Sequence, residues 1–186
     1  SSLVVLVPPD VGVDAEIMFT WAERSFREAK DDDLYRTLIS TYNEYLAEEY
    51  ASVAPDRLFP MGTLPTCGLD DAVRELEHCA RLGFKGVTVQ TFPCGRGYPT
   101  PEDDRFWATA LDLNMPIAVH GGGRFGGFGG APAHKGDPVF KYPRVIHSPD
   151  NHKDDALDLL FSNTGAKWAM GVMQLAYAGV FDRFPK

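Results

Sequence analysis

Apolar positions in this chain alternate between short unbroken runs and longer stretches with a helical beat. Residues 3–7 are a β-branched and leucine run stopped by Pro8 and Pro9, the pattern of a buried parallel strand. An irregular stretch containing Trp21 and Phe26 follows, and then Asp31, Asp32 and Asp33 offer acidic N-cap residues. The helix they open places Leu34, Leu38, Tyr42, Tyr45, Leu46 and Val53 near a 3.6-residue spacing, and Pro55 ends it. Residues 58–64 read as a strand. Residues 70–82 read as an amphipathic helix with Val73, Leu76, Cys79, Ala80 and Leu82 inward and Gly83 as its C-terminal cap. Residues 86–90 form the next strand, and residues 102–113 the next helix, carrying Phe106, Trp107, Ala110 and Leu111 with Asn114 as a left-handed cap. Residues 116–120 are the strand after that.

Strands beginning near 58, 86 and 116 repeat at about 30 residues, the length of a βα unit. Helices between strands force parallel pairing with right-handed crossovers, so the fold class is α/β. Four strands are counted, whereas a closed (β/α)₈ barrel needs eight and typically about 250 residues. A strand without lead-in at the front and an unfinished unit at the back predict a partial (β/α)₈ TIM barrel, with residues 1–186 as one incomplete domain. Residues 121–150 break the rhythm: seven of the first ten are glycine, then Pro132, Pro138, Pro143 and Pro149 follow without periodicity. Such a segment inside a compact domain is expected to be a functional lid or a disordered loop, and the lid loop is the reading adopted. Helices are expected again over 153–161 and 166–181.

Composition narrows the function classes. With 186 residues, 44% apolar, 12% aromatic and 24% charged, the chain has the makeup of a globular protein able to bury a core. A net charge of −8 argues against nucleic acid and against an anionic membrane surface as partners. No run approaches a membrane span, and the first residues do not resemble a signal peptide. Cys67, Cys79 and Cys94 are odd in number and widely spaced, which predicts reduced thiols in a cytoplasmic protein.

The candidate chemistry gathers at His120, where an apolar strand stops and a glycine loop begins. Loops leaving the C-terminal ends of parallel strands are where α/β proteins hold ligands. His120-Gly121-Gly122-Gly123 matches an esterase oxyanion loop, but no serine sits in the G-x-S-x-G frame that such chemistry needs. Gly121, Gly123 and Gly126 fit a dinucleotide fingerprint, yet the residues after them cannot launch the helix that would hold a pyrophosphate. Arg124 suits a bidentate contact with a substrate carboxylate, and Phe125 and Phe128 suit the faces of a planar substrate; each also fits an ordinary loop role. His134, His147 and His152 lie in or beside the loop, and His78 sits within a helix as a structural residue. Cys94 and Arg96 follow a strand and share the face of His120; the thiol there is either a soft-metal ligand or inert.

Four segments carry a family resemblance. Asp56-Arg57-Leu58-Phe59-Pro60 with Leu64-Pro65, Ala72 to Glu77 with Leu82-Gly83-Phe84-Lys85-Gly86-Val87, Leu113-Asn114-Met115-Pro116 running to His120, and Gly179-Val180-Phe181-Asp182 running to Lys186 together resemble the amidohydrolase-related family of metal-dependent TIM barrels. The resemblance extends from about residue 43 to 186. It implies a hydrolase or a carbon–carbon lyase (decarboxylase or hydratase) acting on a small carboxylated or aromatic substrate. By the same resemblance His120 matches the metal-binding histidine of the fifth barrel strand, for a divalent ion, usually zinc. The family's H-x-H pair is expected before Ser1, and its remaining ligands after Lys186. One histidine does not make a catalytic zinc site, so these residues alone are expected to be inactive. A second reading is a catalytically silent α/β binding or assembly module. Either way the open flank of a partial barrel is an adhesive sheet edge, which predicts a homo-oligomer.

Overall fold

A computed structural model describes residues 12–20, 25–96, 98–119 and 166–185. The strand expected at 3–7, the loop at 121–150 and the helix at 153–161 lie outside these residues. In chain order the described elements are β1 (Glu16–Met18), α1 (Asp32–Tyr45), β2 (Leu58–Pro60), β3 (Gly62–Thr63), α2 (Leu69–Arg81), β4 (Val87–Val89), α3 (Asp104–Asp112), β5 (Ile117–Val119), α4 (Ala166–Tyr177) and α5 (Val180–Arg183). They fall into two compact units. One comprises the described residues up to Thr88 with Thr109–Ala118, and the other comprises Val89–Ala108 with the described residues from Val119 onward.

In the first unit β1 and β2 form a parallel pair, with Glu16 opposite Leu58, Ile17 opposite Phe59 and Met18 opposite Pro60. A second sheet runs in the order β3–β4–β5, where β3 and β4 are parallel. The single strand expected over 58–64 is thus two short strands divided at Met61. Met61 N donates to Met18 O and Gly62 N donates to Gly86 O, so the chain switches partners within one residue. Gly62 also permits close packing: a Cβ there would stand 2.7 Å from Cys79 Sγ of α2.

Helix α1 starts where the carboxylate of Asp31 accepts from Leu34 N at 2.9 Å, an N-cap worth about 1 kcal/mol. Its buried positions are Tyr35, Ile39 and Asn43, followed by Leu46 in the wider turn Leu46–Tyr50. Leu34, Tyr45 and Val53, expected inward, are exposed. The stripe lies one position on because Asn43, a polar residue, occupies a core place. Helix α2 buries Val73, Leu76 and Cys79 as expected, while Ala80 and Leu82, also expected inward, are only half-buried, and it ends at Gly83 with φ +88°. Asn114 at φ 50° closes the turn after α3, as its residue type predicts.

In the second unit a short 3₁₀ turn, Pro101–Asp103, leads into α3. Phe106 and Trp107 of α3 pack edge to face with centroids 5.0 Å apart. The helix expected over 166–181 is α4 and α5, separated by Gly179 at φ +66°. Arg183 of α5 forms a two-pronged bond to Asp104, at 3.0 Å and 2.8 Å. Among the described residues no helix is long and apolar enough to cross a membrane.

Candidate functional site

Ligands in α/β folds are held beyond the C-terminal ends of the strands, and β4 and β5 supply two such ends. Beyond β4 the chain turns sharply, with Gly95 N donating to Phe92 O at 2.8 Å and the Phe92 side chain fully buried. The turn is tied to the start of α3 by Asp103, whose carboxylate is wholly buried. It accepts from Cys94 N at 2.7 Å, from Thr100 N at 2.9 Å and from the Cys94 thiol at 3.3 Å. Burial pushes the Cys94 thiol above its ordinary pKa, and its bond to Asp103 adds to the shift. In this geometry the Cys94 thiol is a donor that anchors the loop to Asp103.

In this second unit Thr91 Oγ1, two residues past β4, and Trp107 Nε1 are buried without a hydrogen-bond partner. The first unit is wired differently. Asn43 of α1 donates to Thr63 O at 2.9 Å and to Glu75 Oε1 at 2.7 Å, while its own oxygen accepts from Thr63 N at 3.0 Å. Thr63 and Thr20 share a hydroxyl bond of 2.7 Å, and Thr88 donates to Gly62 O at 3.1 Å. His78 lies between Glu75 and Glu44, with Ser40 Oγ 2.9 Å from its Nδ1. That cluster joins α1 to α2, so His78 is structural, as its position within a helix suggested.

The sequence-predicted site residues His120, Arg124, Phe125 and Phe128 lie outside the described residues, as do His134, His147 and His152. What is described is the strand that leads to the first of them: β5 ends at Val119, and His120 is the next residue of the chain. Among the described residues no three His, Cys, Asp or Glu side chains gather where they could hold a metal ion. A surface cleft of about 170 Å³ is lined by β2 and by Leu82 to Lys85, the approach to β4. Lys85 is the one charged residue lining it, so it lacks the set of groups that chemistry requires.

Comparison with known proteins gives the fold its family. The amidohydrolase family model matches residues 14–186. The chain belongs to the amidohydrolase family. Its α/β fold with parallel strands is part of a TIM barrel, as expected. The decarboxylase orsB of Emericella nidulans is 25% identical over 150 residues, covering 77% of this chain and 40% of its own length. The 5-carboxyvanillate decarboxylase of Novosphingobium aromaticivorans, complexed with manganese and 4-hydroxy-3-methoxy-5-nitrobenzoic acid, is 26% identical with a TM-score of 0.56. The similarity covers 83% of this chain and 38% of that one. The 5-carboxyvanillate decarboxylase of Sphingomonas paucimobilis is similar in fold, with a TM-score of 0.61 at 19% identity, over 95% of this chain and 47% of that one. This amidohydrolase chain thus spans less than half the length of each.

Proposed function

We propose that this chain is part of a metal-dependent decarboxylase that removes the carboxylate of a small aromatic acid. The observation that carries the reading is that β5, a strand of the family's barrel, is followed directly by His120. The curated relative orsB and the 5-carboxyvanillate enzymes are decarboxylases, which favours carbon–carbon cleavage over hydrolysis. In such a reaction the bond between ring carbon and carboxylate breaks, its electron pair stays on the ring carbon, that carbon takes a proton, and carbon dioxide leaves. A divalent ion bound at the site polarises a substrate oxygen. His120 is the proposed ligand from this chain. Zinc is the ion that the family resemblance implies, and manganese is the ion in the Novosphingobium enzyme. Arg124 is proposed to pair with the substrate carboxylate, Phe125 and Phe128 to flank the ring, and residues 121–150 to serve as a lid over an incomplete barrel domain spanning 1–186. We further propose that the enzyme is a homo-oligomer.

The test uses the full-length protein and its His120→Ala variant, assayed for carbon dioxide release from hydroxylated benzoates and for metal content by mass spectrometry. The expected result is loss of most bound divalent ion and a rate at least 100-fold lower, the scale on which loss of a site group is felt. Equal metal content and equal rate in the two proteins would remove His120 from the mechanism. Hydrolysis without carbon dioxide would replace the lyase with a hydrolase.

A further inference from the structure

We infer that Thr91 is a substrate-contact residue, its hydroxyl bonding to an oxygen substituent of the aromatic acid. The inference rests on the proposed function for the class of ligand and on the structure for the residue. Thr91 is 7% exposed, and its Oγ1 has no hydrogen-bond partner. A hydroxyl buried in that way is costly unless something outside the chain completes it. Three residues earlier Thr88, also buried, finds a backbone acceptor in Gly62 O at 3.1 Å, and Thr63 finds Thr20. Threonines of this sheet are therefore satisfied internally until the chain passes the end of β4.

Slackness does not explain the exception. On one side of Thr91 is the strand Val87–Val89, and on the other Phe92 is fully buried and Cys94 N is fixed by the Asp103 carboxylate. The hydroxyl is held in place by its neighbours and left without a bond, which is how a preorganised recognition group is built. Its position beyond a C-terminal strand end is where barrels of this class place ligand contacts. A hydroxyl both donates and accepts, so it suits either a phenolic or a carboxylate oxygen.

The experiment compares full-length wild type, Thr91→Val, Thr91→Ser and Thr88→Val. Each is measured for thermal midpoint and for affinity toward 4-hydroxy-3-methoxy-5-nitrobenzoic acid by calorimetric titration. Valine keeps the shape of threonine and removes the hydroxyl. Thr91→Val should keep or raise the midpoint and bind the probe about ten-fold more weakly, with Thr91→Ser restoring affinity. Thr88→Val should lower the midpoint and leave affinity unchanged. A lowered midpoint for Thr91→Val, or unchanged affinity beside a wild type that binds, overturns the inference and leaves the decarboxylase reading standing. A wild type that neither binds the probe nor decarboxylates any hydroxylated benzoate overturns that reading, and this inference with it.

Discussion

Around Asn43 the buried polar atoms of the first unit bond to one another; beyond β4, in the second, the Thr91 hydroxyl bonds to nothing. Asn43 reaches Thr63 twice and Glu75 once, whereas Thr91 Oγ1 and Trp107 Nε1 are buried and unpartnered. Both sets are buried, so burial alone does not account for the contrast. What differs is where the compensation for desolvation comes from. A network closed within the chain stabilises the fold and binds nothing else. An anchored segment with an open hydroxyl gives up some stability and keeps a group free for a ligand.

The comparison breaks most easily at Asn43. Asn43→Leu keeps an apolar stem in the core, yet it strands Thr63 N–H and Thr63 C=O and takes one donor from the buried Glu75 carboxylate. The expected loss is about 3–5 kcal/mol, the upper range for single substitutions. Urea denaturation at constant slope measures it. A loss below about 1 kcal/mol would mean that this network is ornamental, and the contrast with Thr91 would lose its meaning.

Asp103 tests the other half. Its carboxylate receives two backbone N–H groups and one thiol, holding the Thr91 segment to the start of α3. Asp103→Ala is expected to cost about 2–3 kcal/mol, as a lost cap combined with two stranded amides. Amide hydrogen exchange at Cys94 and Thr100 should quicken selectively. If those amides stay protected, something other than Asp103 anchors the turn, and Thr91 is not preorganised by it.

Local chemistry made much of this fold legible. Asp31 caps Leu34, Gly83 and Asn114 adopt positive φ, and α2 buries Val73, Leu76 and Cys79 of its expected apolar face, because each depends on residues within one turn of one another. The failures share a cause: they depend on distant partners. β1 is only three residues long and presents Glu16 and Ile17 to solvent, so no alternation marks it. It exists because β2 offers a ladder more than 40 residues away. The inward stripe of α1 lies one position from the one its apolar residues suggest, because Asn43 reads as polar and nothing nearby reveals that Thr63 and Glu75 satisfy it. Of the site, the strand leading to His120 was legible as an apolar run ended by an imidazole. Thr91 was not, since an unfilled hydrogen bond is a property of packing and leaves no mark on spacing.

The smallest predicted effect separates the two regions by their thiols. Cys79 lies fully buried in the first unit, where burial and then the nearby Glu75 hold its thiol far above the ordinary pKa. The unfolded chain ionises this thiol near pH 8.5 while the folded one keeps its proton. Its contribution is thus fully present below that pH and declines above it, because the unfolded state then binds fewer protons. Between pH 8 and 9 the loss is about 0.7 kcal/mol for one such group. Cys79→Ala should flatten that part of the pH dependence, measured by urea titration at both pH values against wild type, even though the cavity lowers stability at each. Cys94 is half-buried and shifted in the same direction, so it adds a slope that the Cys79 variant retains. An unaltered slope in Cys79→Ala would mean that water reaches the interface of α2 with β3, and the first unit would then be no drier than the segment beyond β4.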